Sequence, residues 1–195
     1  MKYYFIILVV SIAFFTSCDG KERAYKSNDE KINDSNLSQS YFEQVNYIPE
    51  NSFKQEIDTI LGNGFHVKIK TYTDLNNNVT FTKTQDTFKN IDHYRNFKYD
   101  LFIEKDGKVI YNESFDKEKA NKLLGYKNDF PEESPYHNFN DLAVLKSIEV
   151  DDEPKLKDKV LIDIVYAIPE SNRYAVHTLF INEDGKTNVV HVEIN

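Results

Sequence analysis

Apolar and polar positions alternate along most of this chain, and the alternation resolves into hairpins. Leu61 and Phe65 flank Gly62-Asn63-Gly64, a strong turn sequence. With those three residues as the loop, Ile57 pairs with Ile69 on one face, while Asp58 pairs with Lys68 and Glu56 with Lys70 on the other. Sliding by one residue scrambles both sets, which is how side-chain segregation fixes register. A third, Thr-rich strand is expected over Val79 to Phe88, after a turn at Asp74 to Asn78.

A second hairpin is read with Lys105-Asp106-Gly107 as its loop. That register places Phe97/Phe115, Leu101/Tyr111 and Ile103/Val109 on one face, and Glu104/Lys108 and Asp100/Asn112 on the other. Asp116 is placed to cap a helix over Lys117 to Leu124, with Gly125 as its stop. Gly125 to Asp141 follows as an aromatic, proline-containing loop, and Leu142 to Val150 fits either a helical turn or a strand. Val160 to Ile168 is apolar on both faces, which predicts a central strand.

The last hairpin runs Tyr174 to Asn182 and Thr187 to Ile194. A two-residue Asp184-Gly185 loop pairs Glu183 with Lys186, Leu179 with Val190 and Ala175 with Ile194, and sends His177 and His191 to opposite faces. A three-residue loop would instead set the two histidines directly opposite each other, the start of a two-nitrogen zinc site; the two-residue register sorts the side chains better. Leu101-Phe-Ile-x-x-Asp-Gly-Lys108 is echoed by Leu179-Phe-Ile-x-x-Asp-Gly-Lys186. Because the two turns are read with different loop lengths, convergence on a common turn is favoured over duplication. The expected fold is therefore α+β: a single, predominantly antiparallel β domain, two meanders joined by one short helix and its loop.

The N-terminus follows a different pattern. Lys2 is followed by an apolar run from Tyr3 to Phe15, interrupted only by Ser11, and then by Thr16-Ser17 before Cys18, the sole cysteine. A positive start, a short apolar core and a small-residue exit are the parts of a secretory signal. The run is shorter than the roughly 20 residues a helix needs to cross a bilayer core. Asp19 to Ser40 is polar, with Tyr25, Ile32 and Leu37 too far apart to bury one another, which predicts a flexible tether. As a coil it would reach roughly 25 Å. The chain thus divides into a signal (1–17), a modified cysteine with its tether (18–40) and a β-rich domain (41–195).

The box Phe15-Thr16-Ser17-Cys18 resembles the looser lipobox of Bacteroidetes lipoproteins, with Phe where Leu is usual and Ser where Gly or Ala is usual. The resemblance implies a diacylglyceryl group on Cys18 and a lipid-anchored place in the cell envelope, at the outer membrane on either its periplasmic or its outer face. With this layout the chain is similar to the small Bacteroidetes lipoproteins grouped in families of unknown function.

Charge narrows the partners. Residues 1–17 hold one lysine and no acid, so their removal takes the net charge from −8 to −9. Such a surface disfavours nucleic acid, whose binding rests on Lys and Arg, and leaves membrane attachment to the lipid. One cysteine allows no internal disulfide and no thiolate metal site.

No catalytic signature stands out. There is no Gly-x-Ser-x-Gly elbow, no phosphate loop and no His-Glu-x-x-His. Asp74-Leu75-Asn76-Asn77-Asn78 begins like a calcium loop but has Val79 and Gln85 where Gly and Glu are required. Glu132-Glu133 and Asp151-Asp152-Glu153 are carboxylate runs in hydrophilic loops; His66 reads as a solvated surface residue beside Lys68 and Lys70, and His93 and His137 have no histidine or cysteine near them in sequence. Neither a catalytic residue, a metal nor a cofactor is assigned. The candidate ligand residues are Tyr126, Phe130, Tyr136 and Phe139, whose flat rings among polar groups suit a glycan or a peptide. The competing reading folds these rings down as a lid over the sheet. A non-enzymatic binding module is expected, and the alternative is an envelope or polysaccharide hydrolase built from scattered carboxylates and histidines.

Overall fold

The computed structural model describes residues 42–151 and 156–194, the last two by backbone alone. The signal, Cys18 and the tether, together with Asp152 and Glu153, lie outside the described residues. Among those described, the order is β1 (Phe42–Ile48), β2 (Lys54–Ile60), β3 (Phe65–Gln85), β4 (Phe88–Lys105), β5 (Lys108–Phe115), α1 (Lys117–Leu124), α2 (Phe139–Leu142), β6 (Val144–Asp151), β7 (Lys159–Ala167), β8 (Tyr174–Asn182) and β9 (Thr187–Ile194). The fold is predominantly antiparallel β with little helix, as the alternation predicts.

Two sheets are formed. In the first, β4 pairs β3 along one edge, and β1 and β5 share its other edge, with β2 outside β3. The second runs β6-β7-β8-β9. One contiguous core joins them. Phe65, Val67 and Ile69 of β3 and Tyr99, Leu101 and Ile103 of β4 meet Val160, Ile162, Ile164 and Tyr166 of β7 and Leu179 and Ile181 of β8. Every second residue is buried, the period that a pleated strand imposes. Each such side chain contributes about 1.5–3 kcal/mol by leaving water.

The first hairpin keeps the expected register, with Ile57 opposite Ile69, Asp58 opposite Lys68 and Glu56 opposite Lys70. Lys68 lies 2.9 Å and His66 2.6 Å from Asp58. At the turn, the Asn63 side-chain amide donates to the Leu156 and Lys159 carbonyls at 2.8 and 3.0 Å, tying this tip to the start of β7. The helix is also as read: Asp116 accepts from Lys119 N at 2.9 Å, and Gly125 stops it with φ 77°.

Three expectations need correction. Asp74 to Asn78 is not a turn between strands but an irregularity inside the single long strand β3, where the register to β4 shifts. The Asp74 carboxylate is buried and accepts from Asn76 N at 3.0 Å and Asn77 Nδ2 at 2.8 Å. This local bonding satisfies the extra residues, so the strand bulges and continues. The chain reverses at Asp86-Thr87, with Gln85 opposite Phe88.

The second hairpin turns on two residues, not three. Asp106 and Gly107 both have positive φ, 51° and 76°, the backbone that best matches strand twist. A shift between Ile103 and Glu104 then restores alternation, so Ile103 faces Tyr111, Leu101 faces Glu113 and Tyr99 faces Phe115. Tyr99 and Phe115 stack at 4.9 Å between ring centroids.

The last hairpin has the longer loop. Asn182 N donates to Lys186 O at 3.1 Å around Glu183-Asp184-Gly185, and Leu179 faces Val189, not Val190. A shift between Val176 and His177 brings Ala175 opposite Ile194, so that expected pair is met by a different route. The two echoing turns are neighbours in space. Lys105 pairs with Glu183, and a Cβ on Gly185 would lie 2.6 Å from the Ile110 carbonyl oxygen.

Candidate functional site

The loop after α1 gathers all four candidate rings. Tyr126 lies 5.2 Å from Phe139 and 5.8 Å from Tyr136, and Phe130 lies 5.4 Å from Tyr136. They are not equally available. Phe139 is 0 % and Tyr126 6 % exposed, whereas Phe130 and Tyr136 are half-buried. Tyr126 also packs edge-on against Tyr166 of β7. Arg173 clamps the loop from outside: its guanidinium donates to the carbonyls of Pro135 at 2.7 Å and His137 at 2.6 Å, and lies over the Phe139 ring. His137 Nδ1 is 2.9 Å from the Phe130 carbonyl. Two of the four rings are therefore part of the packing, and Phe130 and Tyr136 are the two a ligand could still meet.

Beneath the loop lie two histidines. The three-residue turn sets His177 on β8 opposite His191 on β9. His177 is fully buried, its Nε2 hydrogen-bonds the Tyr126 hydroxyl, and its Nδ1 has no partner. Burial, with a smaller contribution from His191, holds its pKa down at about 4. Tyr136 reaches His191 Nδ1 at 3.2 Å. Among the described residues, no three His, Cys, Asp or Glu side chains converge as a metal site would need. This cluster latches the loop to the sheet.

The remaining sequence candidates are dispersed. His66 is paired with Asp58. His93 stacks on Tyr47 at 4.9 Å and bonds Thr80 at 2.8 Å. Glu132 and Glu133 are exposed. Among the described residues, the carboxylates and histidines are not drawn into one cleft.

An apolar concave feature lies elsewhere. A groove of about 340 Å³ opens between the first sheet and β6, at the small end of the range for ligand sites. Ile48 and Pro49 at the end of β1, Phe53, and Phe97 of β4 form one side, and Leu145 and Ile148 of β6 contribute the other. Phe53 and Ile48 are 43 % and 40 % exposed. Phe53 is held in place by its edge-on contact with Phe97 at 6.0 Å and by hydrogen bonds between its backbone and Thr73. The polar members of the lining are Gln55, Thr71, Tyr94, Arg95, Lys146 and Ser147. It contains neither a carboxylate nor a histidine.

These residues carry a faint sequence sign. Counting back along β4 from Ile103, every second position reads Leu101, Tyr99, Phe97, Arg95. A cation interrupts an inward-facing apolar row there, where a closed core would continue. Arg95 is half-buried, its guanidinium lies 4.9 Å from the Tyr47 ring centroid, and its Nε is shielded from water without a hydrogen-bond partner.

A second recess, lined by Asn77, Asn96, Lys98, Lys117, Asn140 and Asp141 among others, is polar. Some of its groups are tied to one another, Lys117 donating to the Asp141 carbonyl at 2.5 Å and Asn121 to the Asn140 carbonyl at 2.8 Å, while Asn96 Oδ1 and Asn140 Oδ1 are buried without a partner. Burial lowers the Lys117 pKa to about 8. In comparisons with known proteins, no family model and no curated protein matches this sequence.

Proposed function

We propose that this chain is a non-enzymatic binding module, held at the cell envelope by a lipid on Cys18, whose ligand site is the groove between the first sheet and β6. The observation that supports the reading is the composition of the groove. It exposes aromatic and aliphatic side chains in a concave surface, yet carries no carboxylate or histidine to act as acid, base or nucleophile. Ile48 and Phe53 are left substantially open there, and concentrated apolar exposure marks a surface that meets something. The lipobox resemblance supports the anchor, and the acidic surface supports partners other than nucleic acid. The aromatic loop serves this reading as a lid over the second sheet, with the half-buried Phe130 and Tyr136 left for a glycan or peptide contact.

The test is titration of the mature chain, carrying Cys18→Ala so that it has no lipid of its own, with the neutral apolar dye N-phenyl-1-naphthylamine. Saturable fluorescence enhancement that falls in both Phe53→Ser and Ile148→Lys is expected. Phe53 is exposed enough for its variant to stay folded. Absence of saturable enhancement, or enhancement unchanged by Phe53→Ser, overturns the reading.

A further inference from the structure

The groove is apolar along most of its length, but two cations stand in its lining, Arg95 on β4 and Lys146 on β6. Neither forms an ion pair among the described residues, in a chain whose net charge is −8. The surroundings of Arg95 are unusual for an unpaired cation. Its Nε is screened from water and has no acceptor, which leaves a desolvated donor uncompensated. The Tyr47 ring against its guanidinium restrains the side chain, so the planar donor set is held with little freedom left to lose on binding. Lys146 sits at the irregularity in β6, between Leu145 and Ser147, where the register to β7 shifts. It is exposed and can approach a charge at the mouth.

We infer that the groove takes a single-chain amphiphile ending in a carboxylate, a fatty-acid-like anion, with its chain along Phe53, Phe97 and Ile148 and its head at Arg95. The inference rests on the binding reading above and adds the ligand's chemistry to it. Three observations select this occupant. The apolar lining fits a hydrocarbon body. The volume, about 340 Å³, suits one chain better than the two of a phospholipid. The guanidinium presents a flat set of donors that a carboxylate matches with both oxygens. Lys146 adds long-range attraction but, being exposed, contributes less than Arg95.

Displacement of N-phenyl-1-naphthylamine by dodecanoate and by dodecanol, at about pH 8 where the acid is ionised, tests the inference on the same protein. The alcohol has the same chain without the charge. Wild type should bind dodecanoate roughly tenfold or more tightly than dodecanol. Shortening the acid should weaken binding about fourfold per methylene removed. In Arg95→Gln the preference for the acid should vanish while the dye still binds; Lys146→Gln should reduce the preference only modestly. Equal binding of acid and alcohol by wild type overturns the inference and leaves the binding reading standing, since the neutral dye reports the groove by itself. So does a preference that survives Arg95→Gln, or displacement by an extended acidic peptide but not by dodecanoate. Failure of the dye to bind wild type removes the reading on which the inference rests.

Discussion

His177 and His191 face each other across the last hairpin with ring centroids 4.5 Å apart and planes 77° from parallel. One is fully buried and the other exposed, so the pair spans the boundary between core and solvent beneath the aromatic loop.

The burial of His177, with a smaller contribution from His191, makes stability depend on pH in a definite direction. The folded His177 has its pKa lowered to about 4, below the ordinary value near 6.5. Between those values the unfolded chain binds a proton that the folded chain does not, so stability rises with pH through that window. The contribution is complete above about pH 6.5 and is lost progressively as pH falls toward about 4. Denaturant unfolding at several pH values should show this slope in wild type and a shallower one in His177→Phe. An identical slope in the variant would show that the carboxylates account for the whole effect.

The loop rings should separate by their burial. Phe139→Ala removes a fully buried ring from among Tyr126, Tyr136 and Arg173 and should cost ~3–5 kcal/mol. Tyr136→Ala removes a half-buried ring and one bond to an exposed histidine, and should cost about 1 kcal/mol. Chemical denaturation of both variants measures the difference, and equal large losses would make the whole loop core.

Two turn glycines should respond differently to alanine. Gly107 has φ 76° and open space around a new Cβ, so Gly107→Ala should cost only the left-handed penalty of about 1–2 kcal/mol. Gly185 has the same φ, but its Cβ would press on the Ile110 carbonyl oxygen. Gly185→Ala should therefore cost clearly more in the same unfolding assay, and similar losses for the two would mean that the neighbouring hairpin gives way.

Cys18→Ala should abolish membrane attachment, giving a released or uncleaved chain on fractionation, because no other strong membrane contact is expected from an acidic surface. Mass spectrometry of the membrane-extracted wild type should find Cys18 acylated. An unmodified thiol there would exclude the anchor.

The legible parts of the fold are those specified by neighbours in sequence. Asp58 with Lys68 and Glu56 with Lys70 fix the first register because opposite charges sort onto one face, and Asp116 and Gly125 bracket α1 by local chemistry alone. The other two hairpins defeat pairing arguments because each contains an inserted residue. Once the ladder shifts at Ile103/Glu104 or at Val176/His177, no single register fits both halves. Ala175 and Ile194 agree with a two-residue loop although the loop has three, which is why pairing from sequence sends the two histidines to opposite faces. The aromatic loop could be found because its residues are contiguous, but its division into two buried and two half-buried rings depends on Tyr166 and Arg173, which are distant in the chain. The groove is drawn from residues near 48–55, 71, 94–97 and 144–148. Only Arg95, a cation in an apolar row, hinted at it.

Hairpin tips are ordinarily where a chain accepts added residues most readily. Here the tips at 106–107 and 183–185 are held against each other by the Lys105–Glu183 pair and by the approach of Gly185 to Ile110, and the tip at Asn63 is bonded to the start of β7. Although most of their residues are exposed, these three turns are tied to neighbouring elements, so epitope tags or reporter insertions there should disturb those contacts. Among the described hairpin turns, the one at Asp86-Thr87, with exposed residues on either side, is a place where this domain can be labelled without loosening the contact between its sheets.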